Sequence, residues 1–295
     1  MNEIDIINTI TDIAGAEYIG NDCAYLRDFG IVVTQDSLVE NIHFKRDWYT
    51  PFQLGYKSVV VNISDILASG AIPKYITIAL SLPTTISNNF VTEFYNGAKS
   101  ALNGVKIVGG DITGSKNDIF ISITAIGSTE GRNISSRAYA KQGYVIITKG
   151  NYGSSALGLN ELLKNRSSRQ FIEAHIKPNL DYSFSETIAK NISEPYAMMD
   201  TSDGLADALF KIAEASNMKI VINYDKIPHL KEAREEQVLF GGEDYHLVAA
   251  IPKQYVNLIK DAEIIGYVEE FDGIRLEISE NKFTKYSELN VYKHF

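Results

Sequence analysis

Carboxylates stand in this chain where a charge is expensive. Asp22 sits in the turn GNDCA (20–24), Asp36 lies in the apolar run IVVTQDSLV (31–39), and Asp65 interrupts VVVNISDILASG (59–70). Asp111 ends IVGGD (107–111), Asp200 and Asp203 frame MMDTSDGL (198–205), and Glu243 and Asp244 fall in LFGGEDYHL (239–247). A carboxylate held beside a core needs a compensating partner. Lysine and arginine are scarce next to these motifs, so divalent cations such as Mg²⁺, bound by oxygen donors, are the expected partner.

Taken singly, most of these aspartates have an ordinary explanation. Asp22 suits a turn as well as a ligand role, and Asp36 suits a turn or a cap. Gly109-Gly110-Asp111 reads equally as a tight turn. Asp200 or Asp203 can cap the helix expected over 203–216, although one cap does not account for both. Asp65 is the hardest to dismiss, because aspartate between Ile63, Ile66 and Leu67 is unfavourable inside a helix.

Several chemistries are excluded. The five histidines (43, 175, 229, 246, 294) show no zinc spacing, and the single cysteine, Cys23, builds neither a cysteine-rich site nor an intrachain disulfide. There is no Gly-x-x-x-x-Gly-Lys-Ser/Thr phosphate loop and no Gly-x-Ser-x-Gly nucleophile elbow. A net charge of −9 argues against nucleic acid as a partner. It also makes nucleotide binding awkward unless cations lie between carboxylates and phosphates. No apolar run approaches the ~20 residues that span a bilayer, and no basic region with a following apolar run marks a leader. With one cysteine, the expected location is a reducing cytoplasm.

The elements that must position these groups alternate. Ile4, Ile7, Ile10 and Ala14 have helical spacing, and 31–39 reads as a strand. Thr50 caps a helix with Pro51 in its first turn, running to about Ser69 and stopped by Gly70 and Pro73. A strand over 75–82, a helix over 88–102 and strands near 105–109 and 119–127 follow. The polar segment 131–143 is the expected connection between two halves. Beyond it come a strand at 144–148, helices near 154–165, 168–175 and 183–191, a strand ending at Asp200, the helix 203–216, and strands near 219–223, 245–251, 264–268 and 274–278. The pattern is α/β or α+β, in two domains, 1–140 and 141–295.

In this order, GNDCAYL (20–26), VTQDSLVENIHF (33–44), GYKSVVVNISDILASGAIP (55–73), VGGDIT (108–113), MMDTSDGL (198–205) and GGEDYHL (241–247) resemble the motifs of thiamine-monophosphate kinases. These belong to the aminoimidazole-ribonucleotide-synthetase-like (PurM-like) ATP-binding superfamily. The likeness spans roughly residues 15–250, and the terminal YKHF (292–295) is similar to the family's aromatic-x-His-Phe ending.

The resemblance implies a fold, an activity and a site. The fold is a PurM-like N-terminal domain whose sheet meets its copy in a barrel-like homodimer interface, with a C-terminal α/β domain completing the cleft. The activity is Mg²⁺-assisted transfer from ATP to thiamine monophosphate, without a catalytic nucleophile or base. Asp22, Thr34, Gln35, Asp36, Asp65, Asp111, Asp200 and Asp203 match metal positions, with Asp36 and Asp111 the most critical. Tyr95, Gly110, Asp111, Arg137 and Ser202 match nucleotide positions, and His43, Glu243 and Tyr292 match acceptor positions. Asn21 replaces the first aspartate of the family's Gly-Asp-Asp, Gln35 replaces a threonine, and His246, expected on the outer side of its strand, replaces a glutamate. Selenophosphate synthetases, the hydrogenase-maturation relatives and aminoimidazole-ribonucleotide synthetases fit less well. They would carry a reactive cysteine beside a lysine, a terminal cysteine, or a Gly-Val-Gly-Thr-Lys signature.

Overall fold

The helix expected after Thr50 forms and becomes the centre of the molecule. The computed structural model describes residues 3–166 and 168–292. The first half runs α1 (Glu3–Ala14), β1 (Ala24–Leu26), β2 (Ile31–Val39), α2 (Pro51–Ala68), β3 (Ile72–Pro83), α3 (Asn88–Ala101), β4 (Lys106–Ser115) and β5 (Phe120–Ser128). The second runs β6 (Val145–Thr148), α4 (Ser154–Leu163), α5 (Arg169–Ile176), α6 (Tyr182–Asn191), β7 (Ala197–Asp200), α7 (Leu205–Ala215), β8 (Met218–Ile222), α8 (Glu235–Phe240), β9 (Leu247–Ile251), β10 (Glu263–Glu270), β11 (Leu276–Ile278) and β12 (Asn281–Phe283).

Each half supplies one sheet. The first has the order β1-β2-β5-β3-β4 and the second β12-β11-β8-β10-β6-β9-β7. In the first, β2 and β3 both pair antiparallel with β5, so they run the same way with α2 crossing between them. β3 and β4 pair in parallel, with α3 as their crossover. The first sheet is open, and no closed barrel occurs among the described residues.

At the start of α2, Thr50 Oγ1 accepts from Gln53 N at 3.2 Å and Gln53 Oε1 accepts from Thr50 N at 2.9 Å, a reciprocal cap with Pro51 in the first turn. Buried residues then face every direction around the helix, from Leu54 to Ala68, as befits a helix packed on all sides. It lies between the sheets, touching β2, β3 and β5 on one side and β7, α5 and α6 on the other. One apolar cluster therefore joins the halves, running from Val32, Ile63 and Ile78 to Ile147, Phe184 and Met198. A second, around Phe210, Ile220 and Val248, belongs to the second half alone.

Two expectations need qualification. The stripe on α1 stays exposed, with Ile7 at 42% and Ile10 at 49% accessible, and the side chain of Ile4 lies outside the described ones. Of the terminal tetrapeptide only Tyr292 is described; Lys293, His294 and Phe295 are not. No described helix is long and apolar enough to cross a membrane.

Candidate active site

α2 delivers three side chains to one place. Asp65 accepts from Thr34 Oγ1 of β2 at 2.5 Å, Asn62 Oδ1 accepts from the backbone N–H of Asp36 at 2.9 Å, and Ser64 Oγ donates to Asp200 at 2.5 Å. Asp200, buried at the end of β7, also accepts from Ser202 Oγ at 3.1 Å. Ligand-capable oxygens of Asp22, Asp65 and Asp200 all lie within 4.8 Å of one another. Asp36 and Asp203 border this group.

The electrostatics follow from burial and like charge. Burial raises the Asp65 pKa well above the usual range, and Asp36, Asp200 and Asp22 raise it further. Burial, then Asp203 and Asp22, raise Asp36; burial and then Asp22 raise Asp200. Carboxylates that so oppose one another's ionisation call for a cation, and a set made wholly of hard oxygen donors suits Mg²⁺.

Basic residues do reach the motifs, contrary to the expectation from sequence neighbours, because they arrive from distant segments. Arg137 Nη2 pairs with Asp22 at 2.9 Å, Lys211 with Asp207 at 2.8 Å and Asp203 at 3.4 Å, and Lys57 with Glu243 at 3.0 Å. Nε of Arg137 is buried without a protein partner. Neither Asp200 nor Asp203 caps α7. Its N-cap is Gly204, without a side-chain cap.

Asp111 lies elsewhere. Register places Asp36, Ile123, Ile78 and Gly110 in one line across the sheet. Asp111 is the next residue along β4, so it points to the opposite face from Asp36, three strand spacings or about 14 Å away. It is exposed on the outer face, as is Gln35, whose Oε1 accepts from Thr124 Oγ1 at 3.0 Å. Gly110 is required where it stands, since a Cβ would meet the Ile78 carbonyl oxygen at 1.9 Å. Tyr95 packs edge-on against Phe94 of α3, at 5.6 Å between ring centroids, and joins the packing beside α2 rather than the acidic group. Tyr292 is exposed at 57%.

The Gly-Gly-Glu-Asp segment is folded tightly onto the Thr-Ser-Asp-Gly segment. Glu243 N donates to Ser202 O at 2.7 Å, and a Cβ on Gly242 would sit 2.5 Å from that same oxygen. Glu243 and Tyr245 hold left-handed φ of 64° and 54°, a strained geometry for non-glycine residues and one that gathers at functional sites. Asp244 turns away and accepts from Gly153 N and Ser155 N at 2.6 and 2.8 Å, closing the start of α4. His43 Nδ1 accepts from Val39 N at 3.0 Å, and its ring is near enough to Glu243 to favour the ionised carboxylate. His246 is not on an outer side. It packs edge-on to Tyr152 at 5.4 Å, and burial pushes its pKa down to about 4.

Residues 20–129 match the AIR synthase related protein N-terminal domain and residues 143–279 the AIR synthase related protein C-terminal domain. The thiamine-monophosphate kinase of Bacillus subtilis is 30% identical over 100% of this chain and 100% of its own. That of Aquifex aeolicus is 32% identical over 100% of this chain and 98% of its own. The solved structure of AaThiL complexed with AMPPCP and TMP has a TM-score of 0.90 at 32% identity, covering 100% of this chain and 97% of that one.

The chain belongs to the thiamine-monophosphate kinase family. Against the family's motifs, the substitution of Asn21 has a local reason. Its Oδ1 accepts from Ser136 Oγ and Arg137 N at 3.0 and 2.9 Å, tying the inter-half segment to the turn that bears Asp22. An amide serves there as well as a carboxylate. Cys23 is buried and its thiol pKa is pushed up, first by burial and then by Asp65. That is the opposite of a reactive thiolate, which sets this kinase apart from superfamily chemistry that depends on cysteine.

Two residues that touch Glu243 escaped the sequence reading. Lys57 is 1% exposed and His175 2% exposed. A lysine inside the apolar helix pattern after Pro51 was a signal for the first. Nothing in the local sequence marked the second.

Proposed function

We infer that the chain transfers the γ-phosphoryl group of ATP to the phosphate of thiamine monophosphate, giving thiamine diphosphate and ADP. The observation that carries this reading is the convergence of Asp22, Asp65 and Asp200 within 4.8 Å, in a chain whose relatives are thiamine-monophosphate kinases over their full length. The AaThiL structure complexed with AMPPCP and TMP supports both substrates.

The acceptor phosphate is largely dianionic near neutral pH, its second pKa being ~6, so it needs no general base. The obstacle is bringing two polyanions together, which is a problem of positioning and charge. Asp22, Asp36, Asp65 and Asp200, with Asp203 and Thr34 at the margin, would hold Mg²⁺, which when bound neutralises phosphate charge and aligns the oxygens. Arg137, held by Asn21 through its backbone and by Asp22 through Nη2, would offer its partly exposed guanidinium to an anionic nucleotide, and Ser202 is bonded to Asp200. His43 and Glu243 would meet the acceptor. Transfer is direct, since the site holds no activated nucleophile.

The remaining residues favour a homodimer. Every residue of β4 but the last is exposed, with Val108 at 56% and Ile112 at 61%, although it is a long edge strand that a monomer would be expected to blunt. A second copy along this edge would cover it. It would also explain Asp111, which is turned away from the aspartates of its own chain and would instead enter the partner's site, with Gly110 beside it on β4. Residues 1–140 then form the dimerising domain and 141–295 the domain that closes the cleft.

The test is incubation with ATP, Mg²⁺ and thiamine monophosphate, followed by chromatography. Thiamine diphosphate should form, and free thiamine in parallel should remain unphosphorylated. Absence of the diphosphate with a folded, metal-loaded protein refutes the reading.

A further inference from the structure

Behind Glu243 runs a buried polar chain that the phosphoryl-transfer chemistry does not use. Lys57 Nζ donates to Glu243 Oε1 at 3.0 Å and to Tyr49 Oη at 2.9 Å. His175 Nδ1 lies 3.3 Å from Glu243 Oε2 and 2.9 Å from Ser155 Oγ. Lys57, Tyr49, His175 and Ser155 are each at most 5% exposed, while the Glu243 side chain is 26% exposed. Glu243 is thus the solvent end of the chain. The trio of Ser155, His175 and Glu243 is no hydrolase relay, because both contacts fall on the same ring nitrogen, whereas a relay needs one on each.

The arrangement does two things to Glu243. Burial alone would push its pKa up, but the Lys57 charge, the largest opposing influence, helps hold it below the usual range. Burial and then Lys57 push His175 down to about 3, so the ring is neutral and can donate from Nδ1. Oε1 is therefore fixed by the buried Lys57, and Oε2 lies against the His175 ring, on a loop strained at Glu243 and pinned to Ser202. Tyr245, buried, is close enough to feel the charges of Glu243 and of Asp36, Asp200 and Asp203, so this carboxylate and the acidic group share its neighbourhood. The receptor lies next to where phosphates would meet.

We propose that Lys57 and His175 are positioning residues for the acceptor, holding the Glu243 carboxylate in place to receive a cationic heterocycle that carries N–H donors. Thiamine monophosphate has that chemistry, with a thiazolium charge and an aminopyrimidine. ATP reaches the site by its phosphates and does not need this carboxylate. The inference rests on the proposed activity.

The experiment is steady-state kinetics with both substrates on Lys57→Met, Lys57→Arg, His175→Leu and His175→Asn, with Glu243→Gln as background. Lys57→Met should raise KM for thiamine monophosphate by about 10- to 100-fold, the size of a lost charge-assisted hydrogen bond, with KM for ATP nearly unmoved. His175→Leu should act in the same direction, and His175→Asn, which keeps a donor near Nδ1, should restore most of the loss, as should Lys57→Arg. Because Lys57 acts through Glu243, adding Lys57→Met to Glu243→Gln should change KM no further. That double variant also removes both charges of the pair, so it keeps a folded comparison if Lys57→Met alone leaves an unpaired carboxylate and unfolds. Equal effects on both substrates, no effect on either, or full additivity in the double variant would overturn the proposal. A wild-type protein that does not phosphorylate thiamine monophosphate would instead sink the activity itself.

Discussion

At the scale of single residues, Asp65 shows how function and stability pull apart. Its carboxylate sits in α2 against Asp22, Asp36 and Asp200, so without a cation it is a liability. Asp65→Asn keeps an acceptor for Thr34 Oγ1 and removes one charge. Turnover should drop about 10²-fold or more, as when one electrostatic stabiliser of a transferring group is lost. The chelator-treated variant should nevertheless melt higher than wild type, by about 2–4 °C if relief of repulsion is worth ~1 kcal/mol. Parallel activity assays and thermal melts in EDTA check both halves, and a variant that is both inactive and less stable in EDTA would contradict the repulsion argument. Asp65 was legible in the sequence because aspartate opposes its helical surroundings. Lys57 left only a lysine in an apolar helix pattern as its signal, and His175 left none, since their significance lies in what Glu243 brings to them from a distant segment.

Elements were legible where local chemistry and burial agree. Thr50-Pro51 with Gln53 begins α2, and a long apolar run keeps it helical. β2 has its expected ends, Ile31–Val39, with Val32, Thr34 and Leu38 buried on one face and only Asp36 on that face left half-buried. The elements the sequence reading missed are short, such as β1, β12 and α8, with 3, 3 and 6 residues, too few for a period to emerge. Also invisible was the crossing of α2 and α3, where Gly55 meets the Phe94 carbonyl and Gly97 meets the Phe52 carbonyl. A Cβ would lie 1.9 Å from the first oxygen and 1.8 Å from the second. Alanine is worth up to ~1 kcal/mol over glycine within a helix, but here it would strike backbone that cannot swing away, and overpacking costs about 1–3 kcal/mol. Gly97→Ala should therefore destabilise, seen as a lower denaturation midpoint at unchanged slope. A stabilised variant would show that the helices separate more easily than their contacts imply.

For the whole molecule, pH and metal should act together. Asp36, Asp65, Asp200 and Asp244 have raised pKa values, burial being the largest cause in each and about 7 the value for Asp244. Between their unfolded and folded pKa values the folded chain holds protons that the unfolded chain has released, so stability falls as pH rises. His175 and His246, pushed down to about 3 and about 4 by burial, act oppositely, but only below their ordinary 6.5. Above that only the carboxylates count, and the melting temperature in EDTA should fall from pH 6.5 to 8, with added Mg²⁺ reversing the fall by binding the folded state. The proposed dimer permits a sharper test. If Asp111 serves the partner's site, Asp111→Asn and Asp65→Asn are each inactive, yet a mixed dimer of the two contains one site with both aspartates intact. Random reassortment makes half the dimers mixed, and each has one good site of two, so activity should return to roughly a quarter of wild type. No recovery after verified subunit exchange would place Asp111 in its own chain's site. The sheet would then have to deform enough to bring it around the β4 edge, against the pairing of Ala79 with Asp111 that now fixes it.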